Sequence, residues 1–240
     1  VIPLNSQLKA IIKKSSNIVF FGGAGVSTAS GIPDFRSTDG LYSQKYDYPP
    51  EVILSHTFFI KQPDVFYKFY REKMIYLEAK PNACHNALAK LEAEDKLKAV
   101  VTQNIDGLHQ KAGSKRVFEL HGSVYRNYCM DCKRFYDIGH IINTAGVPGC
   151  VSCGGIVKPD VVLYEESLDE GCMCGAVEVI SKADVLIIGG TSLTVYPAAS
   201  FINCFSGNTL VLINKTPTPA DNFADLVIRD GIAEAMDYTD

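Results

Sequence analysis

Short runs of branched and aromatic residues, each stopped by glycine or a polar residue, constrain this chain more than any other feature. They are Ile18-Val19-Phe20-Phe21, Lys98-Ala99-Val100-Val101, Arg116-Val117-Phe118, Val185-Leu186-Ile187-Ile188, Leu210-Val211-Leu212-Ile213 and Leu226-Val227-Ile228. None is long enough for a buried helix, and none alternates with polar residues. Such runs read as strands covered on both faces, the pattern of a parallel sheet between helices. Helical stripes fall between them: Leu4, Leu8, Ile11 and Ile12 near the start, and an aromatic-rich stretch from Pro50 to Glu78. The aromatic stripe reads as core packing. A further helix opens at Pro81-Asn82-Ala83-Cys84-His85 and runs through Leu88 and Leu91, with His85 in a structural place.

In an open α/β sheet, ligands sit beyond the carboxyl ends of the strands. Those ends carry the chemistry here. The first run enters Gly22-Gly23-Ala24-Gly25-Val26-Ser27-Thr28, a tight turn expected to open a helix whose free N–H groups suit phosphate. Gln103-Asn104-Ile105-Asp106 and Glu119-Leu120-His121-Gly122 follow two neighbouring runs, bringing an amide, a carboxylate and an imidazole to one crevice. Gly189-Gly190-Thr191-Ser192 forms a second glycine and hydroxyl turn able to hold phosphate or ribose. Asn214-Lys215 and Asp230-Gly231-Ile232 close the last two runs. The polar loop Ser30 to Gly40, with Asp34, Phe35 and Arg36, reads as a lid beside the phosphate turn. A hydride-transfer dinucleotide fingerprint needs a third glycine where Thr28 stands, and an acidic residue about 20 positions on. This chain matches neither requirement.

Cys129-Met130-Asp131-Cys132 and Cys150-Val151-Ser152-Cys153 are two C-x-x-C knuckles with 17 residues between them. That spacing suits a four-cysteine zinc site. Four thiolates complete a tetrahedron and leave no open position, so the expected zinc is structural. A single redox pair explains only one knuckle. Cys172 and Cys174 read as unliganded. Of 240 residues, 47% are apolar and 21% charged, as in an ordinary globular protein. The net charge of −4 argues against nucleic-acid binding through a broad basic face. No apolar run reaches the roughly 18 residues of a membrane span. The start shows no secretory pattern, and the metal-type cysteines point to a reducing cytoplasm.

Taken with Gly31-Ile32-Pro33-Asp34-Phe35-Arg36 and Thr102-Gln103-Asn104-Ile105-Asp106, these motifs make the whole chain resemble the sirtuin family of NAD-dependent protein deacylases. It is most similar to bacterial members of the deacetylating kind. The resemblance implies an α/β fold: a Rossmann-like parallel sheet with helices on both faces, plus a smaller module with a four-cysteine zinc ribbon and a helical insertion. The large domain is expected over 1–40, 76–125 and 157–240, and the small one over 41–75 and 126–156. NAD, consumed as a co-substrate, is expected on Gly23, Ala24, Gly25, Thr28, Asp34, Phe35, Arg36, Gln103, Asn104, Ile105, Asp106, Gly190, Thr191, Ser192, Asn214, Lys215 and Ile232. His121 is the expected base, with Asn104 and Asp106 in the catalytic set. An imidazole with a pKa near 6.5 can take a ribose hydroxyl proton at neutral pH.

An acetyl-lysine peptide is expected to add as a strand between Val162–Glu166 and Leu193–Val195, touching Val162, Tyr164, Glu165 and Val195. The expected products are free lysine, nicotinamide and O-acetyl-ADP-ribose. The expected protein is a cytoplasmic monomer, without membrane or nucleic-acid partners. Two departures from the family pattern stand out. Glu165 occupies a usual glycine position, where an added carboxylate suits basic peptides. Lys73 stands where members preferring acidic acyl groups carry arginine, and it lacks the planar fork for a carboxylate. Neutral acyl groups are therefore expected. Mono-ADP-ribosyl transfer and a non-catalytic NAD-sensing module are the alternatives, the latter disfavoured by the intact Asn104, Asp106 and His121 set.

Overall fold

The computed structural model describes residues 4–35, 40–41 and 46–237. The apolar stripe at the start becomes α1 (Leu4–Lys14), which buries Leu8 and Ile12 and leads into the fully buried β1 (Ile18–Gly22). The aromatic stretch breaks into three helices: α2 (Pro50–Ile53), α3 (His56–Lys61) and α4 (Pro63–Lys73). Pro50 and Pro63 sit in the first turns of α2 and α4, where the missing N–H costs nothing. The Ser55 side chain caps α3 by accepting from the Phe58 N–H at 3.2 Å. Next come α5 (Ala83–Ala93), β2 (Leu97–Thr102), α6 (Leu108–Ala112) and β3 (Val117–Glu119). Asn82 starts α5 with a capping box completed by His85, a device worth about 1 kcal/mol.

The chain then builds β4 (Gly122–Cys129), β5 (Phe135–Tyr136), α7 (Ile138–Asn143) and β6 (Val157–Val161). It finishes with α8 (Glu170–Lys182), β7 (Val185–Gly189), β8 (Thr209–Ile213), β9 (Leu226–Ile228) and α9 (Ile232–Ala235). Six strands form one parallel sheet in the order β3-β2-β1-β7-β8-β9. One apolar cluster under α1, α5 and α9 covers one face, and a second under α8 covers the other. The expected doubly covered α/β sheet is what the chain forms. Its winding reverses between β1 and β7, the place where such sheets open a crevice at their carboxyl edge.

The segment from Lys158 to Tyr164 stays outside the parallel sheet. Its strand β6 pairs antiparallel with β4, in a separate three-stranded sheet ordered β5-β4-β6. The register brings Gly122 opposite Val161, so the pairing crosses the expected boundaries at 126 and 156. Gly122 has φ +77°, and a Cβ there would meet the Asp160 carbonyl oxygen at 1.9 Å. Only glycine permits that crossing. A third apolar cluster joins the helices to this sheet: Phe59, Phe66, Tyr67 and Tyr70 pack with Val124, Tyr136, Ile141 and Val157. Phe66 and Tyr70 stack with centroids 5.5 Å apart. The Tyr67 hydroxyl donates to the Val157 carbonyl. Truncating a ring such as Phe66 in this core costs about 3–5 kcal/mol. No described helix is long and apolar enough to cross a membrane.

Candidate active site

A cleft of about 820 Å³ opens at the carboxyl edge of the parallel sheet, across its switch point. The turns after β1 and β7 form its centre by packing backbone against backbone. The Gly25 N–H donates to the Gly190 carbonyl at 2.8 Å, and a Cβ on Gly25 would meet the Gly190 Cα at 2.8 Å. Gly190 itself has φ +57°. These glycines are therefore required by each other as well as by any phosphate nearby. The same tight contact changes the local structure. In place of the helix expected after the first turn, residues 24–26 and 28–30 form two short 3-10 turns closed by i to i+3 bonds.

Beyond β2, the Gln103 N–H continues the ladder to the Gly22 carbonyl at 3.0 Å, and its side chain donates to Thr191 Oγ1 at 3.1 Å. Asn104 is buried and passes its amide to Ser27 Oγ at 3.1 Å. Ser27 in turn donates to Asp106 Oδ2 at 2.6 Å, while Asp106 Oδ1 accepts from the Leu108 N–H at 2.9 Å. Ser27 thus clamps the amide and the carboxylate together from the neighbouring turn. It belongs to the glycine-rich motif, but sequence alone gave it no role. Gly107 bends the chain away with φ +69°, and the Tyr125 ring fills the space a side chain would need.

His121 follows β3 and lies on the cleft wall. Its Nδ1 is 3.0 Å from the Gln103 carbonyl oxygen, which can only accept, so Nδ1 carries the proton and Nε2 keeps its lone pair. Burial pushes its pKa below the ordinary histidine value, offset in part by the bond to Gln103. The ring is therefore neutral at neutral pH. Its own carbonyl accepts from the Val162 N–H at 3.0 Å, tying it to the small sheet. His109, four residues beyond Ile105, goes elsewhere. It is buried on α6 against His85, with ring centroids 4.7 Å apart and its pKa pushed down by burial to about 3.

Nearly every expected contact residue meets in this cleft. Gly23, Ala24, Gly25, Thr28, Asp34, Phe35, Gln103, Asn104, Ile105, Asp106, Gly190, Thr191, Ser192, Asn214, Lys215 and Ile232 line it, with Val162, Tyr164, Glu165 and Val195. Arg36 lies outside the described residues. Met74, Tyr76 and Tyr196 line it too. Their sequence neighbourhood carries no motif, because their place on the rim is set by packing between distant segments. Lys73 borders the cleft with its ammonium 5.8 Å from the centre of the Tyr46 ring.

Glu165 has a left-handed backbone, φ +75°, the conformation that glycine adopts most freely. Hydrogen bonds from Thr57 hold its carboxyl below the usual range, the Thr57 N–H donating to Oε2 at 2.9 Å. Glu166 is anchored to Lys158 at 3.0 Å, to His56 Nδ1 at 2.7 Å and to the Leu163 N–H at 2.9 Å. Tyr164 is bridged to the stretch before α3: its N–H donates to the Leu54 carbonyl, and its carbonyl accepts from the His56 N–H, both at 3.0 Å.

The four knuckle cysteines meet away from the cleft, their Sγ atoms all within 4.8 Å of one another. Cys129 and Cys153 are 3.4 Å apart, Cys132 and Cys150 3.5 Å. A disulfide needs about 2.05 Å. Four sulfurs at about 2.3 Å from one zinc lie about 3.8 Å apart, and this cluster suits that spacing. Both knuckles make the same turn, with the Lys133 and Gly154 N–H groups returning to the carbonyls of Cys129 and Cys150. Cys150 Sγ also accepts from the Tyr136 hydroxyl at 3.1 Å and the Ser152 N–H at 3.4 Å. Cys172 and Cys174 are not joined in a disulfide.

A parallel sheet wound in both directions, a cleft at its switch point and an attached four-cysteine module define an α/β protein of the nucleotide-binding kind, with a lobe whose cysteines suit one zinc. A model described as the Sir2 family matches residues 23–197. The chain belongs to that family. It is 63% identical over 234 residues to an NAD-dependent protein deacetylase of Clostridium perfringens, covering 96% of both chains. A protein of the same description from Clostridium acetobutylicum is 61% identical, with 97% of this chain and 96% of that protein covered. Among solved structures, Sir2 with a deacetylated p53 peptide and 3'-O-acetyl-ADP-ribose superposes with a TM-score of 0.89 at 38% identity, covering 96% and 95% of the two chains. Sir2 with a p53 peptide and NAD gives 0.84 at 38% identity, over 96% and 94%.

Proposed function

We propose that this chain is an NAD-dependent protein-lysine deacetylase, with NAD and an acetyl-lysine peptide meeting in the cleft between the sheet and the smaller lobe. The observation that carries the residue assignment is the tautomer of His121, with Nδ1–H committed to the Gln103 carbonyl and Nε2 left basic on the cleft wall. The glycine turns at 23–25 and 190–192 support the phosphates and riboses, with Thr28, Asp34, Phe35, Arg36, Asn214, Lys215 and Ile232 around them. Asn104, Ile105 and Asp106 hold the nicotinamide end. Val162, Tyr164, Glu165 and Val195 hold the peptide.

Nicotinamide leaves the ribose carbon with the electrons of the glycosidic bond, and the acyl-lysine carbonyl oxygen bonds to that carbon. Holding the two in line supplies much of the acceleration. His121 Nε2 removes a proton from a ribose hydroxyl, whose oxygen attacks the acyl carbon. Water completes the release of lysine and O-acetyl-ADP-ribose. Cys129, Cys132, Cys150 and Cys153 would hold zinc, which supplies structure to the smaller lobe when bound. Reduced thiols in this arrangement support a cytoplasmic setting, and we read the protein as a monomer. Incubating it with NAD and acetyl-lysine peptides tests the proposal by mass spectrometry. Nicotinamide and O-acetyl-ADP-ribose are expected in equal amounts; ADP-ribose retained on protein instead would mean ribosyl transfer.

A further inference from the structure

A second cavity, of about 480 Å³, lies on the helical side of the cleft mouth. Val52 and Phe58 line its apolar part together with Tyr164, while Glu51, Glu165 and Lys61 carry its charge. Tyr164 and Glu165 line the large cleft as well, so this second trough adjoins the cleft at those two residues. The shared wall is fixed in place. Both backbone groups of Tyr164 are occupied by Leu54 and His56, and the Thr57 N–H secures the Glu165 carboxylate at 2.9 Å. At Tyr164 a chain leaving the cleft therefore meets side chains and no spare backbone pairing. Recognition there depends on side-chain chemistry.

That chemistry is specific in kind. Val52 is 43% exposed and Tyr164 39%, so two of the apolar side chains lining this hollow stay open to solvent. Two carboxylates face one ammonium, so the charge in the trough favours a cation. Building on the deacetylase reading, we propose that this groove receives the stretch of substrate polypeptide next to the acetyl-lysine, and that it favours a segment pairing an apolar side chain with lysine or arginine. Adjacency to the cleft at Tyr164 and Glu165 selects this occupant: a protein substrate threading its lysine inward lays its flanking residues along the cleft mouth. A preplaced carboxylate adds selectivity and association rate more than raw affinity.

The test uses fluorescent peptides: a minimal acetyl-lysine core, the same core extended on either side by a leucine–arginine stretch, and versions with glutamate replacing arginine. Equilibrium binding is measured by anisotropy on the full chain, its Glu51→Lys variant and its Val52→Asp variant, with nicotinamide release followed in parallel. The basic extension on one side should bind tighter than the core, and the acidic one should not. Glu51→Lys should weaken the basic peptide about 3- to 10-fold and narrow the gap between the two charges, an effect that raised salt diminishes. Val52→Asp should remove the leucine's contribution. Equal binding of core and extended peptides, or variants that bind every peptide as the parent does, overturns the groove. Binding that follows the expected order without nicotinamide release leaves the groove standing and removes the deacetylase reading. Thermal melting of both variants, altered at exposed positions, verifies that they are folded.

Discussion

Replacing Ser27 with alanine probes the most buried junction of the site. The side chain is 1% exposed, donates to Asp106 at 2.6 Å and accepts from Asn104 at 3.1 Å. A hydrogen bond to a charged group contributes about 1.5–3 kcal/mol and a neutral one about 0.5–1.5, so the pair sums to about 2–4.5 kcal/mol. Alanine leaves a void of one hydroxyl beside an open cleft. A water entering there restores part of the loss, and about 1–2 kcal/mol of folding stability should disappear. The larger effect falls on chemistry, because Asn104 and Asp106 lose the group that fixes their spacing. A kcat reduction of about 10- to 100-fold is expected, at about 1.36 kcal/mol per tenfold. Steady-state nicotinamide release and denaturant titration measure the two separately. A cycle with Asp106→Asn should show coupling of about 1 kcal/mol or more, since the residues share one bond. If Ser27→Ala turns over within about twofold of the parent and the cycle is additive, the clamp is not part of the machinery.

Because burial holds the His121 pKa below the ordinary histidine value, the acidic fall in kcat/KM should have its midpoint below pH 6.5, as the base gains its proton; a midpoint above pH 7 contradicts the assignment. His85 and His109 are buried neutral, with pKa values pushed down to about 4 and 3. The unfolded chain binds their protons first, so stability is full above pH 6.5 and falls as pH drops, by up to about 1.4 kcal/mol per unit for each ring. A melting temperature constant from pH 7 to 5 argues against this. Tyr136→Phe removes the hydroxyl donor to Cys150, and zinc transfer to a chromophoric chelator should accelerate, with affinity down about 10- to 100-fold; an unchanged release rate places that hydroxyl outside the metal's support. Both Glu165→Ala and Glu165→Gly lose the bond to Thr57, but only alanine retains the cost of φ +75°. The glycine variant should be more stable than the alanine variant by about 1 kcal/mol in denaturant titration, and equal stabilities would show that the position is unstrained.

The six buried runs and their polar stops were legible because a doubly covered parallel strand needs unbroken apolar sequence, a local property. The knuckles were legible for the same reason: ligand spacing is local. What escaped was what depends on partners far along the chain. Strand β4, with its Tyr125-Arg126-Asn127 centre, carries no apolar run, and its pairing with β6 spans the whole zinc module. The helix expected after Gly25 was overridden by Gly190, a residue from the other half of the sheet. Ser27 stood in plain view within a glycine-rich motif, yet its partners lie on another strand. Glu165 showed its unusual position but not its left-handed backbone, nor the bond from Thr57 on α3 to its carboxylate.

Strand β4 starts at Gly122, beside the imidazole, and ends at Cys129, a thiol of the knuckle. A single eight-residue span of backbone thus runs from the proposed base at one end to a proposed zinc ligand at the other. Stripping the ion slackens the far end of that span while the parallel sheet keeps its own cores. Turnover should then fade at a chelator dose too low to melt the protein, making the catalytic rate a gauge of how much zinc the surroundings can spare.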